Sequence, residues 1–155
     1  MTMSFDARLA TLGLLLPDPP KSVANYVATS SFGNLLIVSG QLCIDSTGKL
    51  VAKGQAGTEV GMDQAVAAAR AAAINVLAQT RAALGSLDRV TRVHRLGGFI
   101  AAPVDFADHA RIMNGASDLM VEVFGAAGRH ARSTIGVSSL PLQATVEVEA
   151  IIEFH

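Results

Sequence analysis

Apolar residues recur at helical spacing in two long stretches of the chain and in one short stretch. Between residues 62 and 84 they fall three or four positions apart, and Gly85 follows, which predicts a long helix. The same spacing predicts a second helix over residues 103–124. A short amphipathic helix is predicted over residues 5–16, where Pro17 ends it.

Stretches rich in valine, isoleucine and leucine, bounded by glycine, serine and asparagine, predict the strands. In the last stretch apolar residues alternate with mostly acidic ones, which is typical of a strand with one buried face. The predicted strands cover residues 25–31, 34–39, 42–44, 88–101, 131–139 and 145–154.

The order of these elements predicts an α+β fold, in which the two long helices cover one face of a mixed sheet. The length of 155 residues predicts a single domain over residues 1–155. The uncovered face of the sheet must meet solvent or another copy of the chain. Because half of the residues are apolar and large exposed apolar patches are rare on monomers, we expect an oligomer.

Charge and cysteine content exclude several function classes. The net charge is −1, and the 12 basic residues form no run, so we expect no nucleic-acid partner. No segment reaches the roughly 20 apolar residues of a membrane span, and residues 9–16 are too short for a signal peptide. The single cysteine, Cys43, excludes an internal disulfide and suits a reducing compartment. We therefore expect a cytoplasmic protein with no membrane partner.

An arginine and a glutamate stand in the last two predicted strands of this charge-poor chain. Arg132 opens one strand, Glu147 lies 15 residues later in the other, and a Leu-Pro corner separates them. If the two strands pair antiparallel, both side chains face a common site that binds an anion. The residues alone leave two alternatives open: a structural ion pair for Arg132, and a solvated strand carboxylate for Glu147.

Two further polar residues are candidates for the same site. Tyr26, the only tyrosine, is predicted at the start of the first strand, where it is either a packing residue or an aromatic wall with a hydroxyl. Asn114 in the second long helix is either solvent-facing or an amide donor to a ligand. The histidines lack metal-ligand spacing, and neither GxGxxG nor GxxxxGK[ST] occurs, so we expect no metal and no cofactor.

An ordered set of short motifs covers residues 22–154 and resembles the YjgF/RidA family of reactive imine and enamine deaminases. The motifs are Asn25-Tyr26-Val27, Val38-Ser39-Gly40-Gln41, Asn114, Ala131-Arg132-Ser133, Leu140-Pro141 and Val146-Glu147-Val148-Glu149. The resemblance implies a chorismate-mutase-like fold and a homotrimer with ligand clefts between subunits. It also implies that residues 1–21 are an N-terminal helix and linker added to the usual family core.

The resemblance further implies roles for individual residues. The arginine matching Arg132 binds the carboxylate of a 2-imino or 2-enamino acid, and the glutamate matching Glu147 positions the attacking water. Tyr26 and Asn114 match cleft residues, and Thr134 stands where many members have a cysteine, so we include it among the substrate-binding residues. The leading hypothesis is hydrolytic deamination to a 2-keto acid and ammonia without a cofactor. The alternatives are a trimer that only binds small carboxylates and, less favoured, an endoribonuclease.

Overall fold

A mixed sheet, covered on one face by two long helices, forms the main body of residues 3–155, which the computed structural model describes. The predicted α+β arrangement, with a short N-terminal helix, is confirmed. The helices are α1 (Phe5–Thr11), α2 (Met62–Leu84) and α3 (His109–Phe124). The strands are β1 (Thr29–Phe32), β2 (Leu35–Leu42), β3 (Val90–Ala101), β4 (Ala131–Val137) and β5 (Val146–Phe154).

The strand order across the sheet is β1-β2-β5-β3-β4. β5 pairs antiparallel with both β2 and β3, whereas β4 pairs parallel with β3 at the edge of the sheet. The predicted antiparallel pairing of β4 with β5 is therefore wrong. Because both edges of β5 are already hydrogen-bonded, β4 joins the sheet through the helical crossover from β3, as parallel strands require.

The core lies between the sheet and the helices. Along β5 the even-numbered residues from Val146 to Ile152 are buried under α2, while the odd-numbered ones face the open side. α3 packs closely against α2 because Gly115 has no Cβ, which would overlap the main-chain carbonyl of Val66. α1 docks at the far end of α3, where the Phe5 ring meets the Phe124 ring edge-on at 5.0 Å.

Several element bounds differ from those predicted. α1 ends at Thr11, because Gly13 adopts a left-handed conformation with φ of 68°. α3 begins at His109, since the residues after Pro103 form an irregular turn instead of a helix. β1 begins at Thr29, so Tyr26 precedes the strand. The long helix α2 has the bounds predicted for it, with Gly61 before it and a left-handed Gly85 after it.

Within residues 3–155, no helix has both the length and the apolar composition needed to cross a membrane.

Candidate active site

Arg132 lies near the start of β4, and its side chain extends over the helix-covered face toward α3. Its Nη1 donates to Asn114 Oδ1 at 3.0 Å and to Ser117 Oγ at 3.0 Å. Its Nη2 donates to the Ala110 carbonyl at 3.1 Å. Asn114 and Ser117 stand three residues apart on α3, so they present both acceptors from one face of that helix.

The half-buried Arg132 side chain forms no ion pair with the residues that the structure describes. A guanidinium has five N–H donors, and the three bonds to α3 leave its Nε–H and one Nη2–H. An Nε–H and an Nη2–H together can reach both oxygens of one carboxylate. Since a partly buried charge is costly without a counter-ion, this geometry suits an anionic ligand.

The Ser117 hydroxyl also contacts a histidine. His130 Nε2 lies 2.9 Å from Ser117 Oγ, and His130 Nδ1 lies 2.6 Å from the Gly128 carbonyl. Burial lowers the pKa of His130, and repulsion by Arg132 lowers it further, while the bond to Gly128 acts in the opposite direction.

Thr134 lies two residues after Arg132 on the same face of β4. Its Oγ1 is buried, and no hydrogen-bond partner for it exists among residues 3–155. Two residues further, Gly136 borders a cavity of about 460 Å³ that Phe106 and His109 also line. A Cβ at Gly136 would lie 2.5 Å from His109 Nε2, so a larger residue there would have to displace the histidine ring.

Glu147 points to the open face of the sheet. It is paired with Phe99 of β3, and its carboxylate lies against Gly40, where a Cβ would overlap it. Burial raises the pKa of the Glu147 carboxyl, and the neighbouring charge of Glu149 raises it further. A carboxyl with a raised pKa is better suited to exchange protons near neutral pH than an ordinary one.

Tyr26 lines a small cleft beside Gly40. The cleft has a volume of about 110 Å³, and Gln41 and Leu142 also line it. Gln41 is held in place by the buried Gln79 amide of α2, which donates to Gln41 Oε1 at 3.3 Å. Leu142 adopts a left-handed conformation with φ of 58°, which is strained for leucine and holds its exposed side chain at the cleft.

The predicted site residues thus fall into two groups. Arg132 and Thr134 of β4 lie with Asn114 of α3 on the helix-covered face, whereas Glu147 on the open face and Tyr26 in the small cleft each lie beside Gly40. The common site predicted for Arg132 and Glu147 does not exist within one chain, because β3 separates their strands and their side chains point to opposite faces.

Sequence reasoning missed Ser117, which holds Arg132, and His130, which contacts Ser117. Ser117 could have been found from its spacing of three residues from Asn114. His130, two residues before Arg132, gave no local signal, because its contact with Ser117 depends on how α3 crosses β4. No cluster of three histidine, cysteine or acidic side chains arranged to hold a metal ion occurs in residues 3–155.

Comparison with known proteins supplies the family. Residues 6–154 match the family model described as "YjgF/chorismate_mutase-like, putative endoribonuclease". The chain is 43% identical to Protein TCP17 of Trypanosoma cruzi, over 96% of this chain and 93% of that protein.

Solved structures agree with this match. The crystal structure of Atu1372, a protein of unknown function from Agrobacterium tumefaciens, is 44% identical, with a TM-score of 0.90 over 97% of this chain and 92% of that one. A structure from Shewanella oneidensis, described as a putative endoribonuclease, is 34% identical, with a TM-score of 0.94 over 98% of this chain and 100% of that one. A more distant structure, Escherichia coli TdcF with bound serine, is 25% identical, with a TM-score of 0.67 over 89% of this chain and 94% of that one. The chain therefore belongs to the YjgF/RidA family and has its chorismate-mutase-like fold.

Proposed function

We propose that the protein hydrolyses reactive 2-imino and 2-enamino acids to 2-keto acids and ammonia. The observation that carries the proposal is the Arg132 guanidinium. Three neutral oxygens of α3 hold it, it forms no ion pair among residues 3–155, and those three bonds leave its Nε–H and one Nη2–H to donate to a carboxylate. A carboxylate gripped on that edge fixes the adjacent C2 carbon, which is the reacting atom of such substrates.

In the proposed reaction, a 2-enamino acid first takes a proton at C3 and becomes the protonated imine. Water then adds to C2 while Glu147 accepts one proton from it, giving a carbinolamine. Glu147 returns that proton to the nitrogen and then accepts the hydroxyl proton as the C–N bond breaks and the C2–O bond becomes the carbonyl. Glu147 passes this second proton to the departing ammonia, which leaves as ammonium. One protonated imine and one water give one 2-keto acid and one ammonium ion.

The two groups of site residues favour an assembly in which each cleft is shared by neighbouring chains. One chain would supply Arg132, Asn114 and Thr134, and the next would supply Glu147 and Tyr26. Two different surfaces of the same chain then meet head to tail, and such contacts form a ring when the rotation between neighbouring chains closes. We propose the homotrimer of the family as that ring.

The open face of the sheet supports this assembly. Apolar side chains stand next to one another there without cover from the helices, and Ile37 and Ile135 are 47% and 50% exposed. Such adjacent apolar residues on a sheet face are typical of a subunit interface. The apolar residues on this face form two cross-strand pairs, Ile37 with Ile151 and Phe99 with Ile135.

The relatives support a small ligand more than RNA. TdcF binds serine, an amino acid that carries a carboxylate. The name endoribonuclease also occurs among the relatives, but this chain has a net charge of −1, whereas binding to a phosphate backbone depends on clustered basic residues.

Arg132→Ala tests the proposal. Ammonia release from freshly generated 2-iminopropionate should lose at least about 100-fold in kcat/KM, because the variant lacks the charged fork that holds the carboxylate. The matched control is Arg81→Ala, which removes an arginine from α2 and should leave the rate unchanged.

Two results would contradict the proposal. Equal rates for wild type, Arg132→Ala and a blank would exclude the deaminase. Calorimetry that detects 2-keto acid binding, lost in Arg132→Ala, with no turnover of the imine would favour the carboxylate-binding trimer instead.

A further inference from the structure

The hydrogen bonds behind Arg132 have directions that chemistry fixes. A guanidinium can only donate, so Ser117 Oγ accepts from Arg132 Nη1 at 3.0 Å. A carbonyl can only accept, so the bond of 2.6 Å to Gly128 requires a proton on His130 Nδ1.

The one proton of the Ser117 hydroxyl then has a defined partner. It points to His130 Nε2 at 2.9 Å, which accepts it only if the imidazole is neutral with its proton on Nδ1. An imidazolium would turn Nε2 into a second donor toward the same hydroxyl and would place a positive charge close to Arg132. The hydrogen bonds of Arg132, Ser117 and His130 are therefore mutually consistent when His130 is neutral and protonated on Nδ1.

The far end of this chain of bonds is anchored in the backbone. Gly128 belongs to a 3-10 turn, Gly125–Gly128, between α3 and β4. A Cβ at Gly128 would overlap the main-chain carbonyl of Met120, so the turn lies directly against α3. The carbonyl that orients His130 is thus fixed by the packing of that helix.

We propose that Ser117 and His130 are positioning residues that aim the Arg132 guanidinium at the substrate carboxylate. The neutral imidazole orients the Ser117 hydroxyl, whose lone pair then holds Nη1, and this leaves the Nε–H and one Nη2–H to donate to the ligand. The inference rests on the proposed function, since it assigns these two residues to the carboxylate grip of that reaction.

Ser117→Ala tests the inference, with Ser46→Ala as the matched control. Ser46 is exposed in the loop after β2, where it borders a pocket with Pro17 and Asn75, and it belongs to neither group of site residues. For ammonia release, Ser117→Ala should raise KM about tenfold and change kcat less than about threefold, because it weakens the grip on the carboxylate rather than the proton transfers. Ser46→Ala should match the wild type.

Variants of His130 provide a test that does not depend on Ser117→Ala folding. In His130→Gln, the side-chain oxygen can still accept from Ser117, so KM should stay within about threefold of the wild type. In His130→Asn, the shorter amide can reach Gly128 but not Ser117, so KM should rise as in Ser117→Ala. If His130→Asn matches the wild type, or if both variants raise KM equally, the inference is wrong.

A spectroscopic measurement separates this inference from the proposed function. In ¹⁵N-histidine-labelled wild type, His130 should show the neutral form protonated at Nδ1, and its Nε2 resonance should move in Ser117→Ala but not in Ser46→Ala. A protonated imidazole or the Nε2–H tautomer would overturn the inference. If Arg132→Ala is inactive while Ser117→Ala keeps the wild-type KM, this inference fails and the proposed function stands. If Arg132→Ala keeps full activity, both fail.

Discussion

Glu147, a proposed site residue, carries a carboxyl whose ionisation lowers the stability of the folded chain. Burial and the charge of Glu149 raise the pKa of its carboxyl in the folded chain above the value it has when unfolded. Between those two values the folded state holds more protons, so the free energy of unfolding falls as pH rises through the interval. At a pH above the folded-state pKa, the ionised Glu147 makes folding less favourable than a neutral side chain would.

Glu147→Gln should therefore raise the melting temperature at pH 7 by about 1–3 °C, because an amide of the same shape carries no charge to desolvate. The gain should disappear well below pH 4.5, the ordinary pKa of a glutamate, where the wild-type carboxyl is protonated in both states. Calorimetry at the two pH values measures it.

The control for this prediction is Glu59→Gln, an exposed glutamate whose replacement can still accept the hydrogen bond from the Gln55 main-chain N–H. It should show no such pH-dependent gain. A lower melting temperature for Glu147→Gln at pH 7 would contradict the assigned cause of the pKa shift.

At the scale of elements, the approach of α3 to α2 depends on Gly115. In an unobstructed helix, Gly→Ala stabilises by about 0.5–1 kcal/mol. At Gly115 the new methyl group would overlap the Val66 carbonyl, and main chain cannot move aside as a side-chain tip can. Whether Gly115→Ala stabilises or destabilises the protein therefore shows whether α3 and α2 are in close contact at this position.

We expect Gly115→Ala to destabilise the protein by about 1–3 kcal/mol, the usual cost of overpacking. It should also weaken the site, since Asn114 and Ser117 lie on the same helix and would move with it. Urea unfolding measures the stability. A stabilised Gly115→Ala variant would show that the helices are not in close contact there.

The helices could be predicted because their signals are local. Between Gly61 and Gly85 the periodicity alone defines α2, and both glycines end the helix through their own backbone conformations. The pairing of β4 could not be predicted in this way. Which strand occupies the edge of β5 depends on competition between distant segments, and β3 occupies it here.

The candidate site was predictable to a similar degree. Residue type and the family resemblance singled out Arg132 and Glu147, but they gave no direction to either side chain. Their opposite faces follow from the register of β3 with both neighbours, where Leu96 pairs with Arg132 and Phe99 with Glu147. An odd separation along β3 places them on opposite sides, which no local pattern reveals.

At the scale of the whole molecule, the proposed shared cleft makes a prediction about mixtures. Arg132→Ala and Glu147→Ala chains should each be inactive alone. In a ring, one chain's intact arginine would meet the next chain's intact glutamate in some clefts. Random mixing of equal amounts, after dissociation and reassembly, should restore about a quarter of the wild-type activity.

The mixture experiment has a clear contrary outcome. If both residues of a cleft came from one chain, mixing would restore nothing at any ratio. Mixing the two variants without dissociation serves as the control and should give no activity. Sedimentation of the wild type before and after the procedure checks that the assembly has re-formed.

The separation of Arg132 and Glu147 by β3 has a consequence for inheritance. In the proposed trimer, a chain that lacked both side chains would damage two crevices, because its Arg132 belongs to one crevice and its Glu147 to another. A cell making normal and doubly defective chains in equal amounts would keep about a quarter of its working crevices instead of half. Such an allele would act semi-dominantly.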